Sequence, residues 1–321
     1  MTAAAMVSAP DIVALGEPLI EFNHIDRASS SYVQGFGGDV SNAAIAAARQ
    51  GARVGLVSRV GMDRFGELLF ELWNRENVDT SVVARDTQAS TGLYFITHTP
   101  QGHVFNYLRA GSAASRLCPE NLPLDYIAGA RWLHVSGISQ AISTSACDAV
   151  FAAIAAAQAA GVKVSYDSNL RLKLWPLDRA LITVRATAAM ADVFLPSFED
   201  IAVLGGVTDA EQAMQWCLDA GARTVVLKLG RDGVMVHADG ERYSVPPYRV
   251  EAIDSTGAGD CFAGALLAEL CEGATLRDAV GYANAAAALT TTGFGAVAPI
   301  PTRQRVEKFL ASEAKEKRYA G

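Results

Sequence analysis

Short apolar runs alternate with segments of helical length along most of this chain. The runs are residues 11–16, 53–58, 132–136, 162–167, 193–196 and 224–228, and the helical segments include 43–50, 64–77, 145–160, 177–191 and 210–220. A strand that is apolar on both faces is typical of a parallel sheet with helices on both sides. The alternation therefore predicts an α/β domain of three layers around a mostly parallel central sheet. A late hairpin, 233–237 and 242–245 joined through Asp239-Gly240, adds an antiparallel pair.

Two β-rich intervals, at about 17–36 and 90–108, interrupt the alternation. Both are too long to be ordinary connections between elements. We expect them to pair as a small β-sheet lid that closes over a site. Residues 1–10 are predicted to form a flexible N-terminal tail, and 11–321 a single domain that includes the lid. Half of the 321 residues are hydrophobic and 19% are charged, which is sufficient for one large core.

The segment 254–264 (Asp-Ser-Thr-Gly-Ala-Gly-Asp-Cys-Phe-Ala-Gly) joins a glycine loop to an apolar helix. The first N–H groups of a helix have no partner within it and carry the positive end of its dipole, so they suit an anion. Gly257 and Gly259 lack a Cβ atom, which lets a phosphate oxygen approach the backbone. The loop is therefore predicted to hold a phosphoryl group, although the chain has no Walker A string.

Asp260 follows this loop directly. A carboxylate repels phosphate, so its position is reasonable if it accepts the proton of a hydroxyl that attacks phosphorus. In the alternative interpretation the loop is only a glycine turn, and Asp260 interacts with the helix dipole. Short glycine motifs recur by chance, so the four residues from Gly257 to Asp260 leave both interpretations open.

The longer string, Asp-x-Thr-Gly-Ala-Gly-Asp before an apolar helix, resembles the C-terminal signature of the ribokinase-like sugar kinases, the PfkB family. The resemblance implies a ribokinase-like fold and phosphate transfer from ATP, with Mg²⁺, to a small-molecule sugar. In that family the glycine-rich backbone forms an anion hole and the last aspartate is the base. These roles fall here on Gly257, Ala258, Gly259 and Asp260.

A second glycine string, Gly37-Gly38-Asp39-x-x-Asn42, precedes the helix 43–50 and resembles the N-terminal signature of the same family. The resemblance implies that Gly37, Gly38 and Asn42 contact the sugar. In the alternative interpretation the string is a helix start with Asp39 as the N-cap.

Two arginines follow predicted strands, where open α/β sheets hold their ligands. Arg109 follows the β-rich interval 90–108, and Arg171 follows the strand 162–167. Guanidinium groups bind a carboxylate through two hydrogen bonds, so a converging pair predicts a sugar acid rather than a neutral sugar. In the alternative interpretation both arginines make ordinary surface salt bridges.

Four strings resemble the 2-keto-3-deoxygluconate kinase branch of the family: Gly-Glu-Pro at 16–18, Thr-Gly-Leu-Tyr at 91–94, Arg-Ala-Gly-Ser-Ala at 109–113 and Asn-x-Arg-x-x-Leu-Trp at 169–175. The resemblance covers nearly the whole chain. It implies a sugar-acid substrate phosphorylated on its terminal hydroxyl, held by Tyr94, Tyr107, Arg109, Ile138 and Arg171. The alternatives are a kinase of fructose or ribose, a kinase of the 2-keto-3-deoxygalactonate epimer, and a sugar-acid sensor without turnover.

The nucleotide residues are also implied by resemblance. The turn 228–233 (Lys-Leu-Gly-Arg-Asp-Gly) is similar to the family's turn beside the adenosine, and 284–288 to the helix beside the adenine. Ser197 and Asp200 stand where many relatives have Asn and Glu for the positioning of phosphate and magnesium. The predicted nucleotide contacts are therefore Ser197, Lys228, Gly230, Gly233, Asn284 and the loop Gly257, Ala258 and Gly259, with Asp200 as an indirect Mg²⁺ ligand.

The loop 293–299 departs from the family pattern, because it has neither the usual monovalent-cation ligand nor the acidic substrate ligand of some sugar-acid kinases. The sequence leaves the cation requirement open, with Asp254 as a candidate ligand.

Composition restricts the partners and the compartment. The net charge is −7, which argues against nucleic acid as the main partner, because that binding relies on clustered Lys and Arg. Five scattered cysteines without Cys-x-x-Cys spacing indicate a reducing, cytoplasmic setting, and no long apolar run predicts a membrane span. We expect a homo-oligomer that associates through the exposed face of the lid.

Overall fold

The computed structural model describes residues 9–24, 30–99 and 102–319. Most of the predicted tail, and residues 25–29 and 100–101 of the two predicted lid segments, lie outside the described residues. Within the described ranges, no helix combines the length and the apolar character needed to cross a bilayer.

The strands are short, and those of the main sheet match the apolar runs of the sequence. In chain order the strands are β1 (Ile12–Leu15), β2 (Leu19–His24), β3 (Tyr32–Gly37), β4 (Val54–Val57), β5 (Arg59–Gly61), β6 (Val78–Asp79), β7 (Ala84–Asp86), β8 (Leu93–Thr99), β9 (Gly102–Leu108), β10 (Trp132–Ser136), β11 (Lys163–Asp167), β12 (Val193–Phe194), β13 (Val225–Lys228), β14 (Val234–Ala238) and β15 (Glu241–Val245).

The helices are α1 (Asp39–Arg49), α2 (Arg64–Arg75), α3 (Leu124–Ala128), α4 (Gly137–Ala141), α5 (Thr144–Ala159), α6 (Leu177–Met190), α7 (Phe198–Gly205), α8 (Ala210–Asp219), α9 (Ala258–Cys271), α10 (Leu276–Thr290) and α11 (Arg303–Tyr319). The predictions for α5, α6 and α8 are within one residue at each end. Helix α1 begins earlier than its predicted start at 43, because the polar residues before its alanines already have helical geometry.

Nine strands form the main sheet, in the order β15-β14-β13-β12-β11-β10-β1-β4-β6. All pairs from β13 to β6 are parallel, and β14 and β15 add an antiparallel edge. Strands β14 and β15 are the predicted hairpin. Asp239 and Gly240 both have positive φ in its turn, as a two-residue turn of type I′ requires. Strands β5 and β7 form a separate parallel pair that the sequence did not indicate.

The core has two layers because successive side chains of a strand point to opposite faces. In β1, Ile12 and Ala14 belong to the cluster formed with α1, α2, α9 and α10. Val13 and Leu15 belong to the cluster formed with α5, α6 and α8. The sheet is therefore covered by helices on both faces, as the apolar runs predict.

The two β-rich intervals form a separate four-stranded sheet in the order β3-β2-β8-β9. Strand β2 pairs antiparallel with β3 and parallel with β8, and β8 and β9 form a hairpin. Leu19, Tyr94 and Ile96 make a small core of their own on this sheet. The predicted fold class, a mostly parallel α/β domain with a smaller β-sheet, is confirmed.

Helices α1 and α9 lie against each other because Gly264 has no side chain. A Cβ atom on Gly264 would lie 2.2 Å from the carbonyl oxygen of Ala43 and 2.7 Å from the Cβ of Ala46. This close packing brings the first turns of the two helices together, and both glycine motifs of the sequence precede these turns.

We predict that Gly264→Ala lowers the free energy of unfolding by about 1–3 kcal/mol, because the added methyl group overpacks the contact between α1 and α9. Gly281→Ala is the matched control. Gly281 also lies inside a helix, but a Cβ there meets no atom within 4 Å. Its substitution should raise stability by about 0.5–1 kcal/mol through helix propensity. Urea denaturation measures both. Equal effects of the two substitutions would contradict the close contact.

Candidate active site

A cleft of about 1470 Å³ lies between the small sheet and the ends of the central strands. Residues that follow β10, β11, β12 and β13 all line it, as expected for the carboxyl edge of an open parallel sheet. The predicted site residues that line the cleft are Gly38, Asn42, Tyr94, Tyr107, Arg109, Ile138, Arg171, Ser197, Asp200, Lys228, Gly230, Gly233, Gly257, Ala258, Gly259, Asp260 and Asn284. Gly37 and Asp254 do not line it.

Asp260 lies in the first turn of α9, directly after the glycine loop. Its Oδ2 accepts a hydrogen bond of 2.8 Å from Nδ2 of Asn42, in α1. Burial, together with the negative charges of Asp39 and Asp167, raises the pKa of Asp260 to about 7. The hydrogen bond from Asn42 and the charge of Lys228 act in the opposite direction. A carboxyl with a pKa near 7 is suited to accept a proton at neutral pH.

The glycine loop leads directly into the first turn of α9. Gly257 precedes α9 with φ of 76°, and a Cβ there would lie 2.7 Å from the carbonyl oxygen of Ala296. A Cβ on Gly259 would lie 3.5 Å from Nζ of Lys228, so the amine of Lys228 lies close to the start of α9. Helix N–H groups and an ammonium group together favour phosphate oxygens. The residues present therefore fit the phosphates of a nucleotide.

Lys228 ends β13 and forms an ion pair of 2.5 Å with Asp167, which ends β11. The carboxylate holds the amine at the cleft while leaving it close to the start of α9. Sequence reasoning predicted Lys228 from the family turn but missed Asp167, whose signal was its position at the end of a buried strand.

The start of α1 tests the interpretation in which Asp39 is the N-cap of this helix. Gly38, not Asp39, is the N-cap, and Asp39 is the first helical residue without a capping hydrogen bond. The N-cap interpretation of Asp39 is therefore wrong. Gly38 has φ of 98°, and a Cβ there would lie 2.3 Å from the carbonyl oxygen of Glu17, so only glycine fits.

Arg109 is buried and forms an ion pair with Glu17. Glu17 also accepts a hydrogen bond of 3.0 Å from Ser112. Burial raises the pKa of Glu17, while Arg109 and Ser112 lower it. Nε of Arg109 has no hydrogen-bond partner among the described residues. Sequence reasoning missed Glu17, although it belongs to the Gly-Glu-Pro string. Glu17 thus fixes the guanidinium of Arg109 and partly neutralises its charge, and the Nε–H group of Arg109 remains available as a donor.

Arg171 is exposed at the rim of the cleft. Its Nη1 donates to the adjacent carbonyl of Leu170 at 2.8 Å. The structure brings the two predicted arginines to one cleft, but their states differ, since Arg109 is paired with a carboxylate and the hydrogen bond of Arg171 is to a backbone carbonyl.

The small sheet contributes aromatic rings to the cleft. Tyr94 and Tyr107 face each other with ring centroids 5.4 Å apart, and the hydroxyl of Tyr94 donates to Glu21. A Cβ on Gly37 would lie 2.6 Å from the hydroxyl oxygen of Tyr94. Because Gly37 has no side chain, Tyr94 can occupy this position. Gly37 itself does not line the cleft. Ile138, at the start of α4, adds an apolar wall.

Ser197 and Asp200 are engaged in local structure. The Ser197 hydroxyl caps α7 by accepting from the N–H of Asp200 at 3.1 Å. Asp200 accepts hydrogen bonds from Ser168 and from the N–H of Leu170, and burial raises the pKa of Asp200. No cluster of three or more metal-ligating side chains occurs in the described ranges. A Mg²⁺ ion here would be bound through phosphate oxygens and water, as is usual for this ion.

Asn284 lies in α10, where its side-chain amide donates to the carbonyl of Pro246 at 2.8 Å. Gly230 and Gly233 enclose a 3₁₀ turn, and both have positive φ. The carboxylate of Asp254 connects two loops. It accepts hydrogen bonds from the N–H and hydroxyl of Thr256 and from the N–H of Gly295. These bonds give Asp254 a structural role whether or not it also contacts a cation.

An anion-binding helix start with an adjoining carboxyl, in a cleft beneath a small sheet, is the arrangement of an enzyme that transfers a phosphoryl group to a hydroxyl. Residues 9–303 match the family described as pfkB family carbohydrate kinase. The chain belongs to this family.

Individual relatives have different substrates in their names. The chain is 36% identical over 319 residues to 2-dehydro-3-deoxygluconokinase of Thermoproteus tenax, covering 96% of this chain and 95% of the relative. It is 33% identical over 316 residues to Fructokinase-2 of Zea mays, covering 94% of each. A solved fructokinase of Vibrio cholerae O395, with fructose, ADP and calcium bound, has a TM-score of 0.86 and 31% identity, covering 94% of this chain and 99% of that one.

We predict that Asp260→Asn raises the melting temperature by several degrees at pH 8 and changes it little near pH 4. The pKa of Asp260 is raised from its ordinary value of 3.8 to about 7, so the native state loses stability as pH rises between these values. The amide removes this penalty and still accepts from Asn42. Asp125→Asn, an exposed aspartate in the first turn of α3, is the control. A lower melting temperature at pH 8 for Asp260→Asn would contradict the raised pKa.

Proposed function

We propose that this protein is an ATP-dependent kinase of a sugar acid, 2-keto-3-deoxygluconate, and that it phosphorylates the terminal hydroxyl to give the 6-phosphate. The observation that carries the proposal is the combination, in one cleft, of a carboxyl with raised pKa at the start of α9 and two arginines, Arg109 after β9 of the small sheet and Arg171 after β11 of the main sheet. The similarity to a 2-dehydro-3-deoxygluconokinase over nearly the whole chain supports the same substrate.

In the proposed reaction Asp260 accepts the proton of the terminal hydroxyl as that oxygen attacks the γ-phosphorus of ATP, whose bond to the bridging oxygen breaks so that ADP leaves. The N–H groups from Gly257 to Gly259 and the ammonium of Lys228 stabilise the negative charge that develops on the phosphoryl oxygens. Bound MgATP supplies the phosphoryl group and the charge of the metal. Ser197, Gly230, Gly233 and Asn284 would contact the nucleotide, and Asp200 would position the metal through water.

The two arginines have different tasks in this proposal. Arg171 brings a positive charge that no carboxylate neutralises among the ion pairs of the described residues. Arg109 is held by Glu17 and offers the buried Nε as a directed donor. In this proposal a sugar carboxylate accepts one bond from the buried guanidinium of Arg109 and one from the exposed guanidinium of Arg171. Tyr94, Tyr107 and Ile138 would pack against the carbon chain.

The rival functions are a kinase of fructose or ribose, a kinase of the 2-keto-3-deoxygalactonate epimer, and a sugar-acid sensor without turnover. The ion pair between Arg109 and Glu17 favours the neutral-sugar rival, because it leaves only part of the guanidinium available to a carboxylate. The similarity to a fructokinase of Zea mays points the same way. The carboxyl beside the anion site argues against a sensor, which has no need for a base.

We also propose that the small sheet acts as a lid and that the protein is a homo-oligomer through this sheet. Val33, Val104 and Leu108 lie in this sheet and are exposed. Exposed apolar side chains on a small sheet are typical of a contact surface between subunits.

We predict that kcat/KM of the wild type falls about tenfold per pH unit below about pH 7, because the proton acceptor must be ionised. Asp260→Asn should lower kcat by about 10²–10⁴-fold with little change in the dissociation constant of the sugar. ADP release at fixed MgATP and calorimetric binding of the sugar measure the two effects. Retention of most of the turnover in this variant would exclude Asp260 as the base.

We predict that turnover is confined to keto-deoxy sugar acids and that Arg171→Ala raises KM for them by about 10-fold or more. ADP release is measured with 2-keto-3-deoxygluconate, its galactonate epimer, gluconate, fructose and ribose. Lys173→Ala is the control, since Lys173 is an exposed cation of the same loop that also lines the cleft. Turnover of fructose or ribose that Arg171→Ala leaves unchanged would establish the neutral-sugar rival.

A further inference from the structure

The loop 291–302, between α10 and α11, packs against the glycine loop that precedes α9. A Cβ on Gly257 would lie 2.7 Å from the carbonyl oxygen of Ala296 and 3.1 Å from the Cα of Ala296. The N–H of Gly295 also donates a hydrogen bond of 2.9 Å to Asp254, which lies three residues before Gly257. The position of Gly257 at the start of α9 therefore depends on where Gly295 and Ala296 are held.

Arg49, in the last turn of α1, binds the part of this loop that follows Ala296. Its Nη1 donates to the carbonyl oxygen of Val297 at 3.0 Å and to that of Ile300 at 2.6 Å. Both of these residues are buried, and a buried carbonyl group that loses a hydrogen bond has little water to replace it. One guanidinium nitrogen thus holds both ends of the turn 297–300.

Glu76, directly after α2, orients the guanidinium of Arg49. Nε and Nη2 of Arg49 donate to the two carboxylate oxygens of Glu76 at 2.8 and 2.9 Å. Hydrogen bonding from Arg49 lowers the pKa of Glu76, and burial acts in the opposite direction. A pair with two parallel hydrogen bonds fixes the plane of the guanidinium, so the remaining nitrogen, Nη1, is directed at the loop.

An arginine in the last turn of a helix has a simpler explanation, because cations there interact favourably with the helix dipole and with the last carbonyl groups. Among the described residues, however, the side-chain hydrogen bonds of Arg49 go to Glu76 and to the loop, and not to α1. The helix dipole alone does not account for a guanidinium that binds two carbonyl groups 248 and 251 positions away.

The residue after Arg49 supports the same loop. Nε2 of Gln50 donates to the carbonyl oxygen of Pro301 at 2.8 Å, and Oε1 of Gln50 accepts from the hydroxyl of Tyr282 at 2.8 Å. The end of α1 therefore binds three carbonyl groups in the segment 297–301, immediately after the residue that lies against the glycine loop.

We propose that Arg49 is a positioning residue for phosphoryl transfer, which holds Ala296 against Gly257 through the turn 297–300. This contact keeps the first N–H groups of α9 directed at the transferred phosphoryl group. The inference rests on the proposed use of the glycine loop as the anion site. It does not depend on which sugar is phosphorylated, because the contact acts on the loop that holds the phosphoryl group.

Arg49→Lys tests the proposal in the kinetics. Lysine keeps the positive charge but has no planar fork with which to bind Glu76 through two bonds while it holds the turn. We expect kcat to fall about 10- to 100-fold, because displaced N–H groups stabilise the transition state less. KM for the sugar should change less than about twofold, since Arg109 and Arg171 lie on other segments. ADP release at saturating MgATP measures both constants, and an unchanged kcat would contradict the proposal.

Chemical rescue separates positioning from a general loss of stability. In Arg49→Ala, guanidinium chloride well below the concentration that unfolds the variant should restore part of kcat. Free guanidinium can occupy the space that the side chain leaves and bind Glu76 and the same carbonyl groups. The side chain of Arg49 is 18% exposed, so the ion can enter from solvent. Sodium chloride at the same ionic strength is the control, and equal activity in the two salts would contradict the proposal.

Arg303→Ala is the matched control variant. Arg303 begins α11, forms an ion pair of 2.6 Å with Glu269 and donates to the carbonyl oxygen of Gln50 at 2.7 Å. It therefore anchors the same region by an arginine, but through other contacts than the turn 297–300. Its substitution should lower the melting temperature and leave kcat near the wild-type value. If Arg303→Ala lowers kcat as much as Arg49→Lys does, the effect of Arg49 is only structural and the proposal is wrong.

Hydrogen exchange of the ligand-free protein measures the coupling between the two loops directly. In Arg49→Lys, amide exchange should become faster at 294–300 and also at 254–260. In Arg303→Ala, the increase should be confined to α11. Faster exchange at 294–300 with no change at 254–260 in Arg49→Lys would show that the turn does not hold the glycine loop, and it would overturn the proposal.

The outcomes also separate this inference from the proposed function, because the exchange measurement requires no substrate. If the wild type phosphorylates none of the sugars, the proposed function fails, and exchange at 254–260 in Arg49→Lys decides whether Arg49 positions the glycine loop. If the wild type is a sugar kinase and Arg49→Lys changes neither kcat nor exchange at 254–260, the proposed function stands and the inference fails.

Discussion

The hydrogen bond from Asn42 to Asp260 joins two residues that are 218 positions apart, and the rest of the site depends on it. It forms because α1 and α9 pack at the distance that Gly264 allows. With the two helix starts together, a glycine loop for an anion and a glycine loop beside the small sheet open into one cleft. The carboxyl of Asp260 is then partly removed from water among other carboxylates, which raises its pKa toward neutrality. The packing of α1 against α9 thereby contributes to the raised pKa of Asp260.

The cleft has two separate regions, and each region contains charges of both signs. At the start of α9, Lys228 faces the helix N–H groups and is itself held by Asp167. On the side of the small sheet, Arg109 is held by Glu17. Lys228 at the end of β13 and Arg109 after β9 are thus each oriented by a buried carboxylate, and such pairs are fixed in geometry at some cost in net charge. A ligand with negative charge meets directed donors rather than a diffuse positive field.

Much of the fold was predictable from local pattern. Apolar runs that are bounded by turns indicate buried strands, and Asp239-Gly240 indicates its hairpin turn, because these features depend on a few neighbouring residues. The site was predictable in part: Asp260, Lys228 and the glycines follow from short motifs. The partners of these residues were not. Glu17, Asp167 and Asn169 contact Arg109, Lys228 and Asp39 across the fold, and no spacing in the sequence records such contacts. The N-cap interpretation of Asp39 failed because backbone geometry at Gly38 moved the helix start by one residue.

The sequence by itself determined the class of the fold and the family, and it located the glycine loop before α9, because hydrophobic period and glycine positions are local properties of a chain. Only the tertiary structure decided which charges are free and which are neutralised. Arg109 and Arg171 are the same residue type in similar local contexts, yet one is buried against a carboxylate and the other is exposed. Burial and pairing depend on which distant segments come together. The chemistry of the cleft, from the pKa of Asp260 to the ion pair of Arg109 with Glu17, is therefore a property of the packed helices and strands.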